Sequence, residues 1–584
     1  MGRQLAVNLG NFFAELKRRN VYKVAVAYGV VGWLLIQVTA TIVPALHIPE
    51  GVTTAVVILT LLGFPVALVI AWAFEMTPEG MKRTHEVTPG TVLPYWSKRK
   101  FATFIVGGVA IAAGLLAYQL LLAPLPPIAS RPEDKSIAVL PLLNESGDAK
   151  DEYFSDGLSE ELIAALAQIK ELKVIGRSSS FRFKDRKEEP KAIGEKLGVT
   201  TLLEGTVRKQ GERVRIVAEL INAADGIELW TRTFDRELKD IFGVQQEIAA
   251  AVASSLKVTL LGANERSMAT ENTEAHNAYL QAHFHRQRSN VEEYRKAVAF
   301  FDQAIQLDPN YALAYAERAE AWTIIGDITG ERTTAYPKAR SDAEKAVEIA
   351  PALAEAHAAL GWVCFFSEWK FAQGLNELNR AKELTPANPT ANDLLARVIV
   401  YLGRIEAAER QAREAVELDP LSVATHFNLG RVLFVAGKLD EADASGRKMA
   451  ELQPSASSSH RWQVLVAVQR RDGETALREA QLEPDNGFRL FELALAHYIR
   501  GDRKEADAAL AELIATGRDG LAYQIAQVYA VRGETDKTFE WLQIAFDNHD
   551  GGTLGLAVDP VLRGLHDDPR YKQLLAKLGM PMQP

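Results

Sequence analysis

The sequence predicts a multidomain chain: transmembrane α-helices first, then a small α/β domain, then an all-α helical-repeat solenoid. Three observations carry this prediction. Long uncharged apolar stretches crowd the first part of the chain, up to Ala123. Short β-prone runs alternate with amphipathic helices over 136–262. Beyond Glu274, helix-ending prolines recur at a nearly constant interval.

The three apolar stretches are residues 24–43, 52–74 and 101–123. Each is long enough to cross a hydrocarbon core of ~30 Å as a helix. Residues 1–23 would be a cytoplasmic or interfacial segment. There Leu5, Leu9, Phe12, Phe13 and Leu16 can share one face, with Lys17, Arg18 and Arg19 meeting anionic lipid headgroups. The same basic residues serve equally as a charged flank. Lys and Arg concentrate before the first stretch and between the second and third. The positive-inside rule then predicts a bacterial inner-membrane protein with a cytoplasmic N-terminus and residues 131–584 in the periplasm. A proline-rich linker, 124–135, would follow the anchor of residues 24–123.

Composition sets outer limits. A chain of 584 residues exceeds one ordinary domain of ~100–200 residues. With 48% hydrophobic and 24% charged residues it is not disordered as a whole. Its single cysteine, Cys364, excludes an intramolecular disulfide. The net charge of −9 leaves no global basic footprint, so nucleic acid is not an expected partner. Residues 1–130 hold ten Lys/Arg and five Asp/Glu, a net of +5, so the remainder carries −14.

In the middle region, Ile137–Asn144 and Leu172–Arg177 read as strands. A helix over 157–169 would be capped by Asp156 or Ser159, with Glu160 and Glu161 at the positive end of its dipole. A second helix would end near Gly198. Three strands follow, with turns at Gln210–Glu212 and Ala224–Gly226, and Ile241–Leu261 closes the domain. The order βαβαβββα implies a mixed sheet with helices upon it.

These residues resemble a known family. The segments SIAVLPLLNESGD, YFSDGLSEELIAALAQIKELKVIGRSSSF, the run from IGEKLGVTTLLEG to LWTRTFD, and IFGVQQEIAAAV look like the TolB amino-terminal-like (FlgO-like) domain. The opening FFAELKRRNVYKVAVAYGVVGWLLIQV looks like the membrane segment such proteins often carry. The resemblance covers most of residues 11–262. It implies a bacterial envelope protein in which this module, here 136–262, is joined to helical repeats. Relatives of this kind can carry a cyclase or DNA-binding domain before the membrane segment. Neither is expected here, where only the segment 1–23 lies ahead of the first apolar stretch.

In the repeat body, 274–550, the helix-ending pairs are Asp308-Pro309, Ala350-Pro351, Thr385-Pro386, Asp419-Pro420, Gln453-Pro454 and Glu483-Pro484. The intervals between successive prolines run 42, 35, 34, 34 and 30. A period of about 34 residues marks the tetratricopeptide (TPR) repeat. The segment 426–454 shows it most clearly, with the small pair Leu429-Gly430, the close-packing Ala442 and the terminating Pro454. The long first interval predicts an insertion at Thr329–Tyr336. The segment 551–584 would cap the array.

No Walker A, HExxH, GxSxG or CxxC pattern occurs. No catalytic, cofactor or metal site is expected, and His276, His283 and His285 read as surface or packed histidines. Repeat register places Arg286, Glu320, Arg397 and Arg431 at equivalent A-helix positions, which in TPR proteins usually face the groove. Tyr401, Phe427 and Phe434 would line the same surface. Arg177, Ser178, Ser179 and Ser180 form a candidate anion-binding loop. The leading expectation is a non-enzymatic scaffold or adaptor that binds an envelope protein or peptide. The alternatives are a membrane-bound sensor relaying ligand binding to a cytoplasmic partner, and an unrecognised nucleotide-binding or hydrolase site in the α/β domain.

Overall fold

The computed structural model describes residues 135–580, except 170, 185–187, 259–269, 289 and 518–519. Before these it describes 28–29, 31–33, 36, 57–60, 62–65 and the strands 74–77 and 80–83. The chain forms two compact units, Met1–Pro132 and Glu133–Pro584.

The first unit corrects two expectations. Among the described residues no helix is long and apolar enough to cross a membrane. The transmembrane fold class and the inner-membrane location therefore do not stand. Hydropathy measures how apolar a stretch is; it does not guarantee one continuous helix of about 20 residues. Phe74, the expected last residue of the second span, opens strand β1 (Phe74–Thr77), which pairs antiparallel with β2 (Gly80–Arg83). Helical residues of the first and second stretches touch: Tyr28 donates to the Thr60 carbonyl at 3.0 Å, and its ring lies 5.6 Å from Phe64. The segment 1–23, the third stretch 101–123 and the linker 124–134 lie outside the described residues.

The second unit begins with a mixed sheet. Strands β3 (Ser136–Val139), β4 (Leu143–Asn144), β5 (Lys173–Val174), β6 (Thr201–Gln210), β7 (Arg213–Asn222) and β8 (Glu228–Glu237) are ordered β5-β3-β6-β7-β8, with β4 also beside β6. The β3 pairs and the β4–β6 pair are parallel; β6-β7-β8 is an antiparallel meander. Val214, Ile216, Ala218 and Leu220 alternate onto one face, with Val207 and Phe234 beside them. Helices α1 (Glu152–Ala167) and α4 (Ile241–Ser255) cover that face through Leu158, Leu162, Leu166, Val244, Ile248 and Val252. The helix expected from Gly157 starts earlier, at Glu152, because a 3-10 turn capped by Asp148 leads directly into it. Asp156 is thus inside the helix rather than at its cap, and both its oxygens accept from Lys184 Nζ at 2.7 Å. The short helix α2 (Arg177–Ser180) takes over where the second strand was expected to end, and α3 (Pro190–Leu197) covers the sheet's other face.

Eight antiparallel helix pairs follow among the described residues: α5 (Thr273–Arg286) with α6 (Val291–Leu307), α7 (Ala312–Thr329) with α8 (Arg332–Ile349), α9 (Ala354–Trp362) with α10 (Phe371–Leu384), α11 (Pro389–Tyr401) with α12 (Ile405–Leu418), α13 (Val423–Val435) with α14 (Leu439–Leu452), α15 (Arg461–Gln469) with α16 (Gly473–Leu482), α17 (Asn486–Arg500) with α18 (Arg503–Gly517), and α19 (Ala522–Arg532) with α20 (Thr535–Asp547). Side chains of Asn272, Asn290, Asn388, Ser422 and Asp485 cap first turns. Alanines at the crossings, such as Ala297, Ala408 and Ala442, are fully buried and let helices approach. A side chain at Gly430 would meet Trp462 Cδ1 at 2.5 Å, so the indole fills the space a Cβ would take. The long first proline interval is not a loop insertion: α7 and α8 have 18 residues each and turn tightly at Gly330. The longer interval is extra helix. Helix α21 (Pro569–Leu578) packs on α20 and ends the described array.

The sheet and the repeats share one core. Tyr279, Leu280, Phe301 and Tyr311 of the first pairs sit in the same buried cluster as Leu158 and Ile248.

Candidate functional site

Arg397 on α11 and Arg431 on α13 are one repeat apart. Superhelical stacking brings such equivalent positions together on the concave face. Arg461, on α15, joins them. With Tyr401, Phe434, Trp462, Phe491, Tyr523 and the turns from Gly551 to Pro560, they enclose a cavity of about 220 Å³.

Aromatic rings hold the guanidiniums. Arg431 Nη1 donates to the Tyr401 hydroxyl at 2.7 Å, and its Cζ lies 5.0 Å from the Phe427 ring. Arg397 sits 4.3 Å over Phe366 and 5.2 Å over Trp362. Arg461 sits 3.9 Å over Phe488. Such cation–π contacts position a guanidinium without cancelling its charge. Arg397 Nε and Arg461 Nε and Nη2 are buried and, among the described residues, have no hydrogen-bond partner.

Nearby carboxyls do little to neutralise the cluster. Burial pushes Asp393 up to about 7, against the pull of Asn428 and the arginines. Burial, with Glu483 beside it, holds Glu492 well above the carboxylate range. Burial also raises Asp559, which accepts from Tyr523 and Gln527 at 2.9 and 2.7 Å. Desolvation lowers Arg431 to about 10, and Arg397 and Arg461 add mutual repulsion. At Tyr401 burial works to raise the hydroxyl, yet Arg431, Arg397 and Arg461 together bring it below its ordinary value. The pocket is lined by three arginines that form no ion pair among the described residues, with aromatic walls and one carboxyl, Asp559, in its lining.

Arg397, Tyr401, Arg431 and Phe434 line this pocket, and Phe427 backs it beside Trp462, 5.2 Å between ring centres. Arg286 and Glu320 lie elsewhere and pair with each other at 2.9 Å. They belong to a buried ionic network between α1 and the first repeats. In it His283 bridges Glu160 and Glu317, Tyr279 donates to Glu317 at 2.6 Å, and Arg177 Nε meets Glu160 at 2.5 Å.

Two residues of the Arg177–Ser180 loop already meet carboxylates of this chain, Arg177 at Glu160 and Ser179 at Asp419, while the Ser180 hydroxyl is buried without a partner among the described residues. Ser179 donates to Asp419 Oδ1 from its N–H, at 2.7 Å, and from its hydroxyl; Gly176 N–H donates to the Leu418 carbonyl at 2.7 Å. The loop docks the α/β module on the Asp419-Pro420 corner of the fourth repeat. A Cβ at Gly176 would sit 2.8 Å from the Asp419 carboxyl carbon. His276 pairs with Glu161 at 2.5 Å and His285 with Glu293 at 2.7 Å. Among the described residues no group of three or more His, Cys, Asp or Glu side chains is placed to hold a metal.

The sequence pattern did not single out Arg461, Trp462, Tyr523 or Asp559. Arg461 stands 23 residues before Pro484, as Arg431 does before Pro454 and Arg397 before Pro420, so counting back from each terminating proline reaches it, whereas stepping a fixed 34 residues on from Arg431 does not. The proline interval shortens to 30 over the same stretch, and that was the available signal.

The architecture is a run of antiparallel helix pairs at the interval of tetratricopeptide repeats, about 34 residues, with an α/β module packed on its first and fourth pairs. No family model matches the chain. A segment of 188 residues is 35% identical to a putative adenylate cyclase 3 of Rhizobium meliloti (strain 1021), covering 32% of each chain. Another of 130 residues is 25% identical to the Hsp70-Hsp90 organizing protein 3 of Arabidopsis thaliana, covering 21% of this chain and 22% of that one. The chain thus spans a third or less of these relatives' lengths. Among solved structures, the repeats resemble pilF of Pseudomonas aeruginosa, at TM-score 0.29 and 22% identity, over 34% of this chain and 92% of the other.

Proposed function

We propose that this protein is a non-catalytic binding scaffold whose concave pocket captures an acidic segment of a partner protein. One observation carries the reading: three arginines line one cavity, and none of them forms an ion pair among the described residues, unlike Arg286, Arg318 and Arg413. Charge-assisted pairs to such a site contribute ~1.5–3 kcal/mol each, because arginine presents its donors as a planar fork. The aromatic walls supply apolar contact for the flanking residues.

The α/β module is read here as a TolB amino-terminal-like domain. What supports this is its mixed sheet, with two helices on one face and the third on the other. The cyclase name belongs to the relative that bears it. A nucleotide or hydrolase site at Arg177–Ser180 is disfavoured, since Asp419 occupies the Ser179 donors.

The test is fluorescence anisotropy of the full chain with a labelled oligoglutamate peptide against its glutamine counterpart. The acidic peptide should bind at least tenfold tighter, and Arg431→Ala should remove most of that preference. Equal binding of both peptides would sink the proposal.

A further inference from the structure

The arginine pocket is lined by three guanidinium side chains, more positive charge than one carboxylate balances. We infer that Arg397, Arg431 and Arg461 form a phosphate site, taking a phosphate group either free or as a monoester on a larger ligand. This rests on the reading of the groove as a binding site and names the group that fills it.

Three lines converge. First, a carboxylate brings one charge and two oxygens, whereas a phosphate monoester brings about −1.5 to −2 and three strong acceptors. Arg397, Arg431 and Arg461 all line the cavity; Arg397 Nε and Arg461 Nε and Nη2 have no accessible surface and no hydrogen-bond partner among the described residues, so a ligand in the cavity would be met by the other guanidinium nitrogens. Second, no carboxylate of the described residues forms an ion pair with Arg397, Arg431 or Arg461, unlike Arg286, Arg318 or Arg413, each of which pairs with two. Third, about 220 Å³ is below the ~300–1,000 Å³ of ordinary small-molecule pockets. It admits a compact head group while the rest of the ligand stays outside. On one wall Gly551 and Gly555 leave the backbone open, with no atom nearer than 3.7 Å to an ideal Cβ at Gly555 and none within 4 Å at Gly551, whereas Gly552 packs against the Tyr523 ring.

The experiment is calorimetric titration of the full chain with four probes: inorganic phosphate, a phosphoserine peptide, the same peptide with Asp in place of phosphoserine, and the same peptide with Ser. Phosphoserine peptide binding at least tenfold tighter than the Asp peptide supports the inference. So does an affinity that rises as pH passes ~6, where the second phosphate proton leaves. Binding of inorganic phosphate as tight as that of the peptide assigns the site to free phosphate, still within the same chemistry. Arg461→Gln and Arg397→Lys should each weaken phosphate binding at least tenfold, with unchanged far-UV circular dichroism as the check on folding. Lysine keeps the charge but loses the fork. Equal binding of the Asp and phosphoserine peptides, or variants that bind phosphate like the native chain, would overturn the inference while leaving the acidic-segment reading intact. Phosphate binding with neither acidic peptide bound would do the reverse.

Discussion

Replacing His283 with glutamine should abolish a pH-dependent part of the stability of this protein. The imidazole is buried between α1 and the first repeat and bridges Glu160 and Glu317. Burial works to lower its pKa, but the two carboxylates outweigh that and raise it from 6.5 to about 9. The sign follows directly. A histidine whose folded pKa exceeds its unfolded one adds stability that is complete below the unfolded value and is lost as pH rises through the folded value. The window is therefore pH 6.5 to about 9. At ~1.36 kcal/mol per pKa unit the difference amounts to at most about 3 kcal/mol, shared among His283, Glu160 and Glu317 rather than counted for each. Glu317 sets the acid side. Burial opposes its ionisation, yet His283 and Arg286 hold it down to about 2, so its contribution is present above 4.5 and fades as pH falls toward 2. The network is strongest between pH 4.5 and 6.5. Urea midpoints of native and His283→Gln chains, followed by circular dichroism across this range, give the difference curve. The native advantage should shrink as pH climbs from 6.5 to 9. A flat difference, or one that grows with pH, would refute the reasoning.

Two further outcomes test the packing. Asp419→Ala strands the Ser179 N–H and hydroxyl in a buried joint and should cost ~2–4 kcal/mol, somewhat offset because the carboxylate no longer has to be desolvated. In a Ser179→Ala background the hydroxyl's share of that loss should vanish in a double-mutant cycle measured by urea unfolding, while the share of the backbone N–H, which alanine keeps, should persist; full additivity would count against the joint. Gly430→Val places a side chain against the Trp462 indole, 2.5 Å from an ideal Cβ, and should destabilise by ~1–3 kcal/mol while weakening oligoglutamate binding. An unchanged melting temperature would show that the crossing has slack.

Much of the repeat body was legible because its physics is local. Prolines end helices wherever they fall, so their spacing gave the period. Ala442 and Gly430 stood out because crossings require small residues. Arg397 and Arg431 could be aligned by counting one repeat along the chain. The partners of those arginines could not. Arg461 is found only by counting back from Pro484, because its repeat is short, and the cavity is completed by Tyr523 and Asp559, several helix pairs beyond Phe427. The serine loop looked open to an anion because its acceptor, Asp419, lies 240 residues away. The apolar stretches near the N-terminus were over-read for a related reason, since a run of apolar residues specifies burial without specifying what buries it.

By itself the sequence determined the helical period and the small residues at crossings, since each depends on neighbours within one or two turns or on a fixed count along the chain. Only the tertiary structure decided which charges meet. It turned Arg286 and Glu320 into a pair, committed the Ser179 donors to Asp419, and left three arginines facing a cavity unneutralised. Electrostatics acts through space and burial, and neither can be counted along the chain.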